Sequence, residues 1–320
     1  MINLAQLQNA ARVALEECMA TKKEESVLLV IDEPMIELGE IFYEEGRRLG
    51  FEIMLVKMIA RENHGCEPPR SIASAMANAD VVFCITSKSL SHTNARRGAC
   101  QKGTRVASMP ALTEEMMQRT LAADYTKIAK VSNKIAKVLT DGQKVTITSP
   151  HGTNLKMEIV TRLGQPDTGL LHQAGDFGNL PAGEAYIAPL EGTTTGKLVI
   201  DGAMSGIGIL QEPLVMEVEQ GQVVSVAGKD SSKLEAIFAK YGDKARNIAE
   251  LGIGTNHEAK LTGIILEDEK VLGTIHIALG DNSTFGGNVE VASHLDGIIT
   301  SPSVVIDGKA IMEDGKLLID

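Results

Sequence analysis

Tryptophan is absent from this 320-residue chain, and aromatic residues make up only 3% of it. So few rings leave little with which to stack nucleobases. Basic residues are also in deficit, 31 against 42 acidic ones, and the resulting net charge of -11 repels a phosphate backbone. Nucleic acid is therefore not an expected partner. The four cysteines, Cys18, Cys66, Cys84 and Cys100, form no CxxC pair. Neither a disulfide framework nor a thiolate zinc site is expected, and reduced thiols suit a cytoplasmic protein. Cys84, inside VVFCIT, reads as a small buried hydrophobe. No apolar run approaches the roughly 18 residues of a membrane helix. The amphipathic residues 3–20 also lack the basic region and apolar stretch of a secretion signal. A membrane is not an expected partner either.

What is present is an ordinary globular composition, 43% hydrophobic and 23% charged. A chain of this length holds about two domains of roughly 150 residues. Leu4, Leu7, Ala11, Ala14, Leu15, Cys18 and Met19 fall at helical spacing and predict an opening helix with one buried face. Apolar runs at 27–32, 51–58, 81–86 and 105–110 alternate with helical stretches. That alternation predicts a parallel sheet covered on both faces, an α/β domain over residues 1–111. Residues 112–142 read as a helical connector, with Thr113 and Asp124 as caps and Ile128, Val131, Ile135 and Val138 as an apolar stripe.

Beyond Gly142 the texture changes. Hairpins are predicted at 145–159 and 214–227, and the two DGK sequences at 307–309 and 314–316 read as tight turns. One strong helix is expected at Ser231–Tyr241 and a weaker one near 243–250. Residues 143–320 are thus a β-rich α+β domain, a curved sheet or partial barrel.

This second domain gathers the residues able to do chemistry. In GNLPAGEAYIAP (178–189) a Pro/Gly turn delivers Glu184 to the start of a strand, and in IAELGIGTN (248–256) Glu250 ends a helical segment and enters a glycine loop. His276 is the polar residue of GTIHIALG, and His294 and Asp296 in SHLDG are two apart, on one face of an extended strand. Taken singly, each has a plainer reading: a solvated carboxylate, a surface helix residue, a core histidine. Together, two imidazoles and several carboxylates without thiolates suit Zn, Co, Mn or Fe(II). GAMSG (202–206) lacks the spacing of a serine nucleophile elbow. His64, His92, His151 and His257 sit in polar or loop contexts and read as solvated or capping histidines.

In this order NLPAGEAYIAP, AELGIGTN, GTIHIALG and SHLDG resemble the thermophilic aminopeptidases of peptidase family M29. SLSHTNARRGAC (89–100) and HGTNLKMEI (151–159) extend the resemblance upstream. It implies a two-domain, dimeric metallopeptidase that removes N-terminal residues from short peptides at divalent metals. The implied metal ligands are Glu184, Glu250, His276, His294 and Asp296, with catalytic roles for Glu184 and Glu250 and a bridging position for Glu250. Two departures from the peptidases stand out. Val271 replaces a glutamate, with Glu269 two residues earlier, and Ser283 replaces a tyrosine. The same superfamily contains 2,5-dihydroxypyridine dioxygenases, which use one Fe(II) held by two histidines and an aspartate. His276, His294 and Asp296 supply that set for a small-molecule substrate. Peptide hydrolysis is the first expectation and ring-cleaving dioxygenation the second. A metal-binding relative without peptidase activity is the third.

Overall fold

The computed structural model describes residues 3–319. It forms two compact units, each made from two stretches of chain: one runs up to Tyr125 and resumes at Gly169–Ala182, the other takes Thr126–Thr168 and the chain from Gly183 onward.

The first unit is built on a parallel five-stranded sheet, in the order Glu52–Met58, Ser26–Asp32, Val81–Ile85, Arg105–Ser108 and Phe177–Asn179. Val27 to Ile31 and Val81 to Ile85 are buried without a break, as strands covered on both faces must be. The edge strand Glu52–Met58 buries only Ile53 and Met58. The opening helix Leu4–Arg12 continues as a π-helical turn to Cys18 and buries Leu7, Ala11, Ala14, Leu15 and Cys18. Leu4, in its first turn, departs from the expected stripe and is 54% exposed. Cys84 is buried, as expected. The Thr113 side chain accepts the Met116 N–H and caps a short helix, Glu114–Gln118.

The division of the chain differs from the one expected at 1–111, 112–142 and 143–320. Helix Tyr125–Asp141 is no free connector. Its Ile135, Ala136 and Leu139 enter the core of the second unit, with Val131 and Val138 packed alongside. Residues 169–182 return to the first unit, because Phe177–Asn179 pairs with Arg105–Ser108.

The second unit holds two antiparallel sheets in place of one curved sheet or partial barrel. The eight-stranded sheet contains both predicted hairpins, Lys144–Thr148 with Asn154–Glu158 and Leu214–Glu219 with Gln222–Ala227. It also contains both DGK turns. Asp307 and Gly308 have φ of 49° and 82°, and Asp314 and Gly315 have 45° and 78°. This double positive-φ geometry favours Asp-Gly in tight hairpins. The seven-stranded sheet runs Gly208–Ile209, Ala203–Met204, His294–Ile299, Ile275–Gly280, Ile248–Gly254, Glu184–Ile187 and Gln165–Asp167. One core serves both sheets: Val145, Ile147, Leu155 and Met216 come from the first, Ile187, Leu251, Ile253 and Ile277 from the second.

Helix Ser231–Tyr241 forms as expected, but the weaker helix near 243–250 does not. A 3-10 turn at Asp243–Arg246 leads into the strand Ile248–Gly254, so Glu250 lies on a strand and not at a helix end. Hydrogen bonding to strands on both sides, with Leu251 and Ile253 driven into the core, outweighs the helical preference of the short IAEL segment. Among the described residues no helix is long and apolar enough to cross a membrane.

Candidate metal centre

Side chains alternate between the faces of a strand, so the register of the seven-stranded sheet determines which residues meet. Tyr186, Gly252 and His276 lie in one row across three strands, and Glu250, Ala278 and Asp296 in the next. Asp167, Glu184 and Gly254 form a row on the other side, and His294 pairs with Gly280. A register shift between Ile248 and Glu250 marks an irregularity beside the site.

The glycines of LGIG are seats and not a phosphate loop. A Cβ on Gly252 would lie 1.9 Å from His276 Nε2, so the imidazole lies where a side chain would otherwise stand. A Cβ on Gly254 would lie 2.0 Å from the Val271 carbonyl oxygen.

All five expected ligands come together. His276 Nε2 lies 3.2 Å from Glu184 Oε2 and 3.3 Å from Glu250 Oε1. His294 Nε2 lies 3.3 Å from Glu250 Oε2 and 3.3 Å from Asp296 Oδ1. The donors form two triads, Glu184–Glu250–His276 and Glu250–His294–Asp296, sharing Glu250. The two imidazoles meet opposite oxygens of the Glu250 carboxylate, so His276, His294 and Asp296 do not form one triad by themselves.

Electrostatics in this cluster are set by burial against close opposite charge. Burial disfavours a proton on His276, but its hydrogen bond to Glu250 and the charge of Glu184 raise its pKa to about 9. Burial likewise opposes the charged form of His294, and Asp296 and Glu250 outweigh it, lifting the imidazole well above its usual range. Burial pushes Glu184 up despite Lys270. The same desolvation acts on Glu250, where the two histidines reverse it and bring the carboxyl down.

A divalent cation fits these donors. Imidazole nitrogens and carboxylate oxygens without sulfur suit borderline and harder ions. His294 Nδ1 donates to the Asp281 carbonyl at 2.8 Å, an arrangement that aims Nε2 at Glu250 and Asp296, where a metal ion would take the place of its proton. Glu184 Oε2 is buried and has no hydrogen-bond partner.

Several site residues were not expected from the sequence. Lys270 is fully buried, with Nζ 2.5 Å from Glu184 Oε1, 2.7 Å from Glu269 Oε1 and 3.4 Å from Asp167 Oδ2. Glu269 is therefore engaged by Lys270 and belongs to neither triad. Burial pushes its carboxyl up to about 8. Tyr186 shares the site face with Glu184, and burial and the nearby Glu250 and Glu184 raise its phenol. Its ring meets Phe285 edge-on at 5.5 Å, and Phe285 meets the His294 ring at 6.0 Å. Ser283 is exposed and bonds Asp281 through its hydroxyl.

The other five histidines belong to neither triad. His64 accepts the Ser89 N–H, His151 pairs with Asp201, His172 donates to the Glu17 carbonyl, His257 approaches Glu258, and His92 is exposed.

An α/β unit joined to a β-rich unit with a buried imidazole–carboxylate cluster defines the class: a two-domain enzyme with a site suited to a divalent metal. The chain belongs to the NicX family, 2,5-dihydroxypyridine 5,6-dioxygenase, whose model matches residues 6–319. It is 20% identical over 220 residues to the 2,5-dihydroxypyridine 5,6-dioxygenase of Pseudomonas putida KT2440, a match spanning 64% of this chain and 59% of that relative. The solved 2,5-dihydroxypyridine dioxygenase from the same organism superposes with a TM-score of 0.84 at 17% identity, covering 100% of this chain and 99% of that one. AmpT from Thermus thermophilus gives 0.72 at 16% identity, over 98% and 99%. The fold thus spans both branches of the resemblance. The family match favours the dioxygenase, the second of the expected activities, over the peptidase.

Proposed function

We propose that this protein is an Fe(II)-dependent dioxygenase that opens a dihydroxylated pyridine-type ring. The observation that carries the reading is the family match over residues 6–319. The site supports it chemically. His294 and Asp296, which share a triad with Glu250, would hold the ion, and His276, at the other oxygen of Glu250, would supply the second imidazole. A 2-His-1-carboxylate centre supplies open positions for O₂ and a chelating substrate when the metal is bound.

The chain's own residues would orient the ring and exclude water. Tyr186 and Phe285 set an aromatic wall beside His294, a rare use of rings in a chain with four tyrosines and six phenylalanines. Flat aromatic substrates pack well against edge-on or offset rings. Because burial and the carboxylates raise its pKa, the Tyr186 phenol keeps its proton and can act as a donor but not as a base. Two features of the peptidases are absent: Val271 has no carboxylate, and the Ser283 hydroxyl is spent on Asp281.

One observation favours a second reading. Glu250 presents Oε1 to one histidine and Oε2 to the other, as a carboxylate bridging two hydrolytic metals would.

Oxygen uptake with 2,5-dihydroxypyridine by anaerobically purified, Fe(II)-loaded protein tests the proposal. One O₂ should be consumed per ring lost, and Asp296→Ala should slow the reaction by about 1,000-fold or more, roughly 4 kcal/mol of barrier. No uptake, together with Zn- or Mn-dependent release of amino acids from free-amine peptides, would replace this reading with the hydrolase.

A further inference from the structure

The two donor triads are not equivalent. The His294 triad is partly open, with the imidazole 27% exposed and its Nδ1–H already bound by the Asp281 carbonyl. The His276 triad is buried throughout and has a neighbour the other lacks, the ammonium of Lys270. That side chain is 0% exposed, one of the largest fully buried in the structure. A lone ammonium does not stay in such a place; it stays because Glu184, Glu269 and Asp167 surround it. The backbone also fixes it, since the Lys270 carbonyl accepts the Asn256 N–H at 2.9 Å and Val271 bridges to Asn256.

Glu184 is thereby divided between two tasks. Oε1 takes the ammonium at 2.5 Å, and only Oε2, 3.2 Å from His276 Nε2, faces the triad. A divalent ion in the Glu184–Glu250–His276 triad would face a fixed positive charge across one carboxylate and another metal across Glu250. Like charges at such short range repel strongly in a poorly solvated interior. One divalent ion and one ammonium, in contrast, place positive charge at both ends of the cluster.

We propose that Lys270 stands in for a second metal ion: the chain binds a single divalent cation among His276, His294, Asp296 and Glu250, and Lys270 keeps Glu184 from recruiting another. The inference rests on the metal-binding part of the function proposed above and not on ring cleavage.

Metal content decides it without an activity assay. Full-length protein, stripped of metal and titrated with Zn(II), should retain one ion per chain after desalting, and so should Lys270→Arg, which keeps the charge. Lys270→Met keeps the length of the side chain without the ammonium and should retain two. With Mn(II), the wild-type chain should give the spin-resonance signal of isolated ions and Lys270→Met that of a coupled pair. Two ions in the wild-type chain, or one in a folded Lys270→Met variant, would overturn the proposal. Should Lys270→Met fail to fold, Lys270→Gln, which keeps hydrogen-bonding capacity without the charge, decides instead: it should retain two ions, and a single ion in that folded variant would sink the idea. A chain that holds one metal yet opens no ring would remove the proposed function and leave this inference standing.

Discussion

The two faces of the seven-stranded sheet share every backbone hydrogen bond and almost nothing else. Ala185, Ile187, Leu251, Ile253, Ile277 and Leu279 point into the core between the sheets. Their immediate neighbours in sequence, Glu184, Tyr186, Glu250, Gly252, His276 and Ala278, point the other way into the charged cluster. Burying carboxylates costs free energy that ion pairing only partly returns. The apolar face supplies the stability that the charged face consumes. One face is held by close packing and the other by opposite charge, so the same strand should respond to mutation in two different ways.

The largest test of that contrast is Ile277→Ala. Ile277 is 0% exposed, and truncating it should lower stability by about 2–5 kcal/mol in denaturant unfolding, while the metal content of the folded fraction stays unchanged. Loss of metal together with stability would show that the faces are not separable. Gly252→Ala sharpens the contrast from the charged side. The added methyl would sit within 2.0 Å of the His276 ring, so stability should fall by about 1–3 kcal/mol. Divalent-metal affinity, measured by calorimetry, should fall by roughly 10–100-fold, the range for disturbing a ligand's support. Unchanged affinity would mean that the imidazole needs no glycine seat.

The smallest effect concerns buried charge that serves only the scaffold. In the first unit Arg105 grips Glu25 with bonds of 3.0 and 2.7 Å, at 9% and 13% side-chain exposure. The Arg105 hydrogen bond, working against burial, holds the Glu25 carboxyl below its ordinary value. A carboxylate depressed by folding stabilises above its unfolded pKa of about 4.3 and loses that contribution as pH falls through the folded value. Glu25→Gln should therefore cost about 1–2 kcal/mol at pH 7, and the gap to wild type should close as pH falls through and below the carboxylate range. A gap independent of pH would mean that packing and not charge holds this contact.

Local pattern was enough for features that depend on local rules. The i, i+2 spacing of His294 and Asp296 places both on one strand face, and the Pro/Gly turn before Glu184 starts a strand as expected. Two of the parallel strands, Ser26–Asp32 and Val81–Ile85, could be read from their unbroken apolar runs. What escaped depends on distant partners. Glu250 looked helical because IAEL has helical composition, and only its pairing with two other strands makes it extended. Lys270 follows Glu267, Asp268 and Glu269, a charge run that reads as solvated surface. Its main partner Glu184 lies 86 residues earlier, and nothing local announces it. The strand Phe177–Asn179 has three residues and no apolar run, so only its neighbour in the sheet defines it.

That short strand also bears on synthesis. By the time Arg105–Ser108 has left the ribosome, the parallel sheet has four of its five strands, and the fifth waits until the chain has made the first hairpin of the other unit. Until then Arg105–Ser108 is an unpaired border whose free N–H and C=O groups invite any extended segment nearby. A fragment ending at Tyr125 would carry that raw border permanently. The point where such a chain can be cut is therefore set by Asn179, not by the end of the first run of α/β sequence.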